Sequence, residues 1–224
     1  MRMRRIKNHD ERKLSCLSRM LYVEKTDEDY REIVKRKELL DYKAIFGNDN
    51  PVEMEIGCGK GGFIVQKAIQ NPNVNYIAVE LLQNIIVMAC ELAKSKNLSN
   101  VKFVNSGAEY LPRYIPDESI QNIYLNFSPP FSQDGYESRR LSSDRFASAY
   151  KNYLVDGGAI YQKTDDKEFF DYSFSKFVEH GFDVKDVSKE IENGEIENVK
   201  TEYEQKFNAI GIKTNALIAT KKPN

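Results

Sequence analysis

Several residue types that often announce a function are scarce in this sequence. Only three cysteines (Cys16, Cys58, Cys90) and two histidines (His9, His180) occur among 224 residues. The cysteines are odd in number and lack paired metal-ligand spacing, and the histidines lie far apart. Neither a disulfide framework nor a metal site is expected, and the cysteines read as plain thiols. No apolar run approaches the roughly 18–20 residues of a membrane span, so no membrane partner is expected. The start, Met1-Arg2-Met3-Arg4-Arg5-Ile6-Lys7, is basic without the apolar stretch of a secretory signal, and the expected location is the cytoplasm. No long Gly/Ser/Pro linker divides the chain, so residues 1–224 read as one domain with a sizeable core. Overall charge is also nearly absent, at −1. That argues weakly against a protein that coats nucleic acid over its whole surface.

The charge that is present is uneven. Residues 1–22 carry seven Lys/Arg and two acids, about +5, leaving about −6 on the remainder. This basic N-terminal arm fits two readings, an RNA-facing segment or a solvated, disordered terminus.

Along the chain, a polar helical region near residues 26 to 44 precedes a turn at Gly47-Asn48-Asp49-Asn50-Pro51. Residues 52 to 57 then alternate like a strand, 64 to 69 continue as a helix, and Tyr76-Ile77-Ala78-Val79 is a short strand ending at Glu80. Ile85, Met88, Ala89, Leu92 and Ala93 fall at helical spacing, and Val101-Lys102-Phe103-Val104 follows as a strand. Further strands are expected over 120 to 127 and 159 to 163, with helices over 142 to 154 and 168 to 179 and a turn at Asp156-Gly157-Gly158. Two last strands, 183 to 187 and 212 to 220, flank an acidic segment expected to be looped. Strands alternating with helices imply an α/β fold of Rossmann type, a mostly parallel sheet with helices on both faces.

Glu55-Ile56-Gly57-Cys58-Gly59-Lys60-Gly61-Gly62 follows a strand and opens a helix, the context in which closely spaced glycines cradle a nucleotide-like ligand. A ligand-free tight turn is the competing reading. Gly57, Gly59 and Gly62 fit the dinucleotide spacing, while Gly57, Gly59 and Gly61 fit a methyltransferase spacing equally well. The acids favour the second. Glu55 would face a pyrophosphate unfavourably but could accompany the cationic amine and sulfonium of S-adenosylmethionine. Glu80, nineteen residues after Gly61, is placed to accept from both ribose hydroxyls.

The chain resembles the bacterial tRNA (guanine-N7)-methyltransferases from its Met-Arg-Met-Arg start to about Gly211. The resemblance rests on Phe46-Gly47-Asn48-Asp49-Asn50-Pro51, Tyr124-Leu125-Asn126-Phe127-Ser128, Arg139-Arg140-Leu141, Lys163-Thr164-Asp165 and Thr201-Glu202-Tyr203-Glu204-Gln205-Lys206-Phe207. It implies a methyltransferase fold and methyl transfer from S-adenosylmethionine to guanosine N7 in the variable loop of tRNA. It also implies that Glu55, Gly57, Gly59, Gly61, Glu80 and Ala108 hold the cofactor. Asp165 and Thr201, Glu202, Tyr203 and Glu204 would line the guanosine pocket, and Arg139 and Arg140 would touch RNA phosphates. Guanine carries donors at N1 and N2, so carboxylates such as Asp165 and Glu204 suit a pocket that selects it. Each has a structural alternative: Asp165-Asp166 as a helix cap, Glu202 and Glu204 as a solvated face, the arginines as surface ion pairs.

The resemblance breaks at one segment. Where the family reads Asp-Pro-Trp-Pro-Lys-Lys-Arg-His after Asn-Phe-Ser, this chain has Pro129-Pro130-Phe131-Ser132-Gln133-Asp134-Gly135-Tyr136. The family's catalytic aspartate is thus Pro129, its basic cluster is gone, and Gly107 stands where an aspartate near the adenine is usual. Guanine N7 has a lone pair and no proton, so in-line transfer needs positioning more than a base. Asp134 or Asp165 is available to substitute in part. Three readings stay open: the tRNA enzyme, a catalytically impaired paralogue acting as an RNA- or partner-binding module, and a methyltransferase with another acceptor. Monomer and homodimer are equally compatible with the sequence.

Overall fold

The structure is a computed structural model that describes residues 6–21, 29–133, 135–196 and 198–223. Arg2, Arg4 and Arg5 of the basic start, the first residues of the 26 to 44 region and Asp134 lie outside the described residues. The chain divides into two compact units, Met1–Tyr114 and Ile115–Asn224.

In the first unit, α1 (His9–Leu14) leads into a two-residue strand β1 (Met20–Leu21). Short helices α2 (Tyr30–Ile33) and α3 (Tyr42–Phe46) follow. The Rossmann-type core is β2 (Val52–Ile56), α4 (Gly62–Gln70), β3 (Asn75–Val79), α5 (Gln83–Ser95) and β4 (Val101–Val104). The strands are parallel, in the order β1-β4-β3-β2. Every residue of β2 and β3 is buried, as expected of parallel strands covered on both faces, and in β2 this burial includes Glu53 and Glu55.

The part of the basic arm that is described is docked rather than projecting. Arg12 donates through Nε and Nη2 to the Glu91 carboxylate of α5 at 2.6 and 2.5 Å. Lys102 donates to the Ser18 carbonyl at 3.0 Å, and Arg19 to that of Leu98. Cys16 and Cys90 are fully buried in this contact, the Cys90 thiol donating to the Cys16 carbonyl at 3.7 Å. This cover moves the buried face of α5 to Ile86, Val87, Ala89, Cys90 and Ala93, leaving Ile85, Met88 and Leu92 at its margin.

The 26 to 44 region is not one helix. Between α2 and α3 the chain is irregular, and the amides of Glu38 and Leu40 donate to the carbonyls of Arg113 and Tyr114 at 2.9 and 2.8 Å. Those external bonds replace helical ones in a stretch with too few apolar residues to pack a helix.

The second unit contains β5 (Ile120–Asn126), α6 (Asp144–Tyr153), β6 (Leu154–Thr164), α7 (Lys167–Glu179) and β7 (Asp183–Asp186). It ends with α8 (Ser188–Glu192), α9 (Glu202–Asn208) and β8 (Asn215–Thr220). β5 and β6 are parallel, and β8 lies antiparallel between β6 and β7. The Asp156-Gly157-Gly158 turn proves to be a bulge inside β6: Ile120 pairs with Leu154, then Asn122 with Ala159. A Cβ on Gly158 would stand 2.7 Å from the Gln121 carbonyl, so only glycine lets the two strands close up there. The acidic segment expected as loop carries α8 and α9 instead. Among the described residues, no helix is long and apolar enough to cross a membrane, and no group of three or more His, Cys, Asp or Glu is placed to hold a metal ion.

Candidate functional site

The first unit builds a candidate site out of backbone. At the end of β2 the amides of Gly57 and Cys58 both donate to the Val79 carbonyl, at 2.8 and 2.9 Å, which turns the chain sharply over the end of β3. Gly57, Gly59 and Gly61 have φ of 82°, 55° and 82°, and Gly61 caps α4. A Cβ would find nothing within 4 Å at Gly57 and Gly59, whereas at Gly61 it would stand 2.8 Å from Ala89 Cβ. The first two glycines therefore leave open space above the loop, and the third permits close packing of α4 on α5.

Two carboxylates flank this loop. Glu55 is buried in β2. Glu80 accepts from the Gly59 amide at 3.1 Å through Oε2 and from the Leu82 amide at 2.8 Å through Oε1, so it is held directly beside the glycines. Burial pushes the Cys58 thiol well up, and Glu55 and Glu80 add to the effect. The loop's own thiol is therefore no nucleophile. Gly107 and Ala108 follow β4, with Ala108 opening a short helical turn. A side chain at 107 would meet Glu109, whose carboxylate lies 2.5 to 2.8 Å from where that Cβ would be. The position at which the resemblance placed an acid thus has a carboxylate supplied from two residues onward.

The second unit has a candidate site of its own, assembled from side chains. Asp165 and Asp166 separate in role: Asp166 caps α7, accepting from the Phe169 amide at 2.8 Å. Asp165 lies instead beside Tyr203, whose phenol is pushed up first by burial and then by the Asp165 carboxylate and its hydrogen bond. The Tyr203 ring is 5.1 Å from that of Phe127 and stacked at 4.2 Å on Phe207.

Glu204 is committed internally. Thr201 and Glu204 form a capping box at the start of α9, and the Glu204 carboxylate accepts from Lys163 at 2.7 Å and Asn198 at 2.6 Å. The Lys163 and Glu204 side chains are 8% and 1% exposed, so this is a buried pair with its remaining positions filled, Lys163 also donating to Asn198 and the Val199 carbonyl. Glu202 is exposed. Of the three acids expected around guanine, Asp165 is the one set against an aromatic ring.

The segment that departs from the resemblance is the one with strained backbone. Phe127 and Phe131 have φ of 51° and 44°, uncommon for residues with side chains, and they bracket Ser128, Pro129 and Pro130. The Phe127 amide donates to the Lys163 carbonyl at 2.8 Å. Ser128 is buried, and its hydroxyl has no partner among the described residues. Pro129 is exposed. The two neighbouring arginines diverge: the exposed Arg139 guanidinium sits 4.4 Å over the Tyr136 ring, while Arg140 turns back to the loop and lies 4.4 Å over Tyr172. Sequence reasoning missed this bracing and the capping box, although the Thr-x-x-Glu spacing at 201–204 was a readable signal for the second.

A family described as putative methyltransferase matches residues 49–217. The tRNA (guanine-N(7)-)-methyltransferase of Bacillus subtilis (strain 168) is 41% identical over 176 residues, covering 76% of this chain and 83% of that protein. The Clostridium tetani (strain Massachusetts / E88) protein of the same name is 36% identical over 178 residues, covering 79% and 84%. Among solved structures, the 16S rRNA methyltransferase KamB superposes with a TM-score of 0.57 at 14% identity, covering 90% of this chain and 96% of that one. An antibiotic-related methyltransferase gives 0.55 at 18% identity, covering 89% and 97%. These likenesses show the fold alone, and it is the Rossmann-like methyltransferase fold expected from the sequence.

Proposed function

The chain belongs to the methyltransferase family that includes the tRNA (guanine-N(7)-)-methyltransferases of Bacillus subtilis and Clostridium tetani, and we propose that it transfers a methyl group from S-adenosylmethionine to N7 of a guanosine in tRNA, in the cytoplasm. The observation that carries this reading is the glycine loop held against Glu80, with open space over Gly57 and Gly59 and buried Glu55 beneath. That cradle fits the cofactor: backbone can approach closely, a buried carboxylate answers a cationic ligand, and Glu80 offers acceptors suited to ribose hydroxyls. Ala108 and Glu109 complete the adenosine side. When bound, the cofactor supplies an already activated methyl.

The protein's task is then to orient the acceptor. Asp165 accepts from the guanine N1 and N2 donors, the Phe127–Tyr203 aromatic pair presents a face to the base, and Glu202 and Arg139 lie at the rim where RNA backbone approaches. Thr201 and Glu204 hold Tyr203 in place through the α9 cap. Because N7 has no proton to lose, the absence of a carboxylate at Pro129 removes a stabilising charge but no required base.

Methyl transfer from radiolabelled S-adenosylmethionine to unmodified tRNA, followed by digestion to nucleosides, tests this. Label in 7-methylguanosine that disappears in Glu55→Ala is expected. One observation favours a second reading: Pro129 stands where the resemblance has its catalytic aspartate. Cofactor binding without any transfer to tRNA would leave an RNA-binding relative or a methyltransferase for a different acceptor.

A further inference from the structure

The segment 127–131 has an unusual hydrogen-bonding problem. Pro129 and Pro130 contribute no backbone donors, and among the described residues no backbone bond closes a turn within 127–131, so its carbonyls take donors from outside the segment. Arg140 supplies them. Its Nε donates to the Pro130 carbonyl at 2.8 Å and its Nη2 reaches the Phe131 carbonyl at 3.4 Å. The guanidinium plane rests 4.4 Å over Tyr172 of α7. Tyr172 is half-buried on α7, and burial, then a hydrogen bond to Glu137, push its phenol up to about 12. The chain of support therefore runs from α7 through Tyr172 and Arg140 to the two carbonyls beside Phe131, whose φ of 44° needs outside restraint to persist.

The geometry points to Arg140 as a positioning residue that braces the 127–131 loop, and not as a phosphate contact. Through the loop it fixes Phe127, and through Phe127 the face of Tyr203 against which the acceptor base is placed. In this chain the Pro-Pro pair and the inward arginine form one unit, a rigid loop in place of a charged one. Adjacent Arg139, exposed over Tyr136, is left as the arginine that can meet RNA.

The kinetic arm of the test rests on the methyl-transfer reading above, and a second arm does not. Arg140→Lys keeps the charge, but one ammonium cannot hold both carbonyls while lying flat on a ring. In the full chain with unmodified tRNA we expect kcat to fall about tenfold, since misplacement by a fraction of an ångström suffices. KM for tRNA and the slope of log affinity against log salt should stay as in the wild type. Hydrogen–deuterium exchange across residues 126–133 should rise, and Tyr172→Leu, which removes the platform without touching any charge, should raise it too. Arg139→Gln is the contrast, with the salt slope reduced by about one and no rise in exchange across residues 126–133. If Arg140→Lys instead weakens tRNA binding with a reduced salt slope while exchange and kcat are unchanged, the brace is wrong and Arg140 is a phosphate contact. No transfer in the wild type, with exchange still rising in Arg140→Lys, would overturn the functional reading and leave the brace standing.

Discussion

In the first unit a ligand would meet mostly backbone: a glycine loop at the end of a buried strand, stiffened by its own amide bonds and one carboxylate. In the second it would meet side chains gathered from separate stretches of chain, among them Phe127, Arg139, Asp165 and Tyr203. Backbone sites tolerate few changes at few positions, because their shape is set by φ angles that only glycine adopts cheaply. Side-chain sites can be rebuilt by exchanging partners. The resemblance read from the sequence divides the same way: it holds at the glycine loop and both flanking acids, and it breaks in the second unit at Pro129-Pro130, where it implies a carboxylate and a basic cluster.

The largest effect expected is in the second unit. Lys163→Met leaves the Glu204 carboxylate buried without its cation and should cost about 3–5 kcal/mol by urea unfolding. The double variant Lys163→Met, Glu204→Leu should recover a large part of that loss. If the single variant is mild, the second half is held by shape and not by its buried pair. Next is Gly61→Ala in the first unit, where a positive φ and a 2.8 Å approach to Ala89 Cβ should together cost about 3 kcal/mol and weaken cofactor binding. Calorimetric titration with S-adenosylhomocysteine reads the second effect.

Pro129→Asp sharpens the contrast between retained and altered halves. Restoring a carboxylate near the charge that develops on guanine should raise kcat about tenfold, or ~1.4 kcal/mol in the barrier. An unchanged or lower kcat would mean that loop rigidity matters more than the missing charge. The smallest effect concerns the half-exposed Arg12–Glu91 pair, whose side chains are each 32% exposed. The hydrogen bond from Arg12 holds the Glu91 carboxyl below the usual range. A depressed folded pKa contributes stability above the unfolded value of about 4.3 and loses it as pH falls through the folded one. The stability gap between wild type and Glu91→Gln should therefore be widest above about pH 4.3 and close in acid.

How much could be read beforehand follows the same division. The strands at 52–56, 76–79 and 101–104 were legible because their apolar residues alternate or run together between turn residues, and Glu80 was legible from its spacing to the glycines. Asp156-Gly157-Gly158 looked like a turn because a glycine pair marks a reversal and a bulge alike; only the register of β5 against β6 separates them. The helix over 26 to 44 failed because bonds to residues 113 and 114, far away in sequence, outcompete local ones. Thr201-Glu202-Tyr203-Glu204 carries two messages at once, a helix cap and an aromatic face, and the family resemblance drew attention only to the second. Nothing in an Arg-Arg pair states which member turns inward; that is decided by the prolines it must satisfy and the ring available on α7.

The two-residue strand β1 has a bearing on solubility. A parallel sheet ending at β4 would present an open row of amides and carbonyls, ready to accept a strand from another molecule. Met20 and Leu21 occupy that edge beside Phe103 and Val104, and the segment leading to them is pinned to α5 through Arg12 and to β4 through Lys102, which donates to the Ser18 carbonyl. So short a strand closes the edge without offering a long one of its own. A chain shortened to begin after Leu21 would keep every residue of the glycine loop and still uncover a sticky border, so its first failure would be self-association, well before any loss of cofactor affinity.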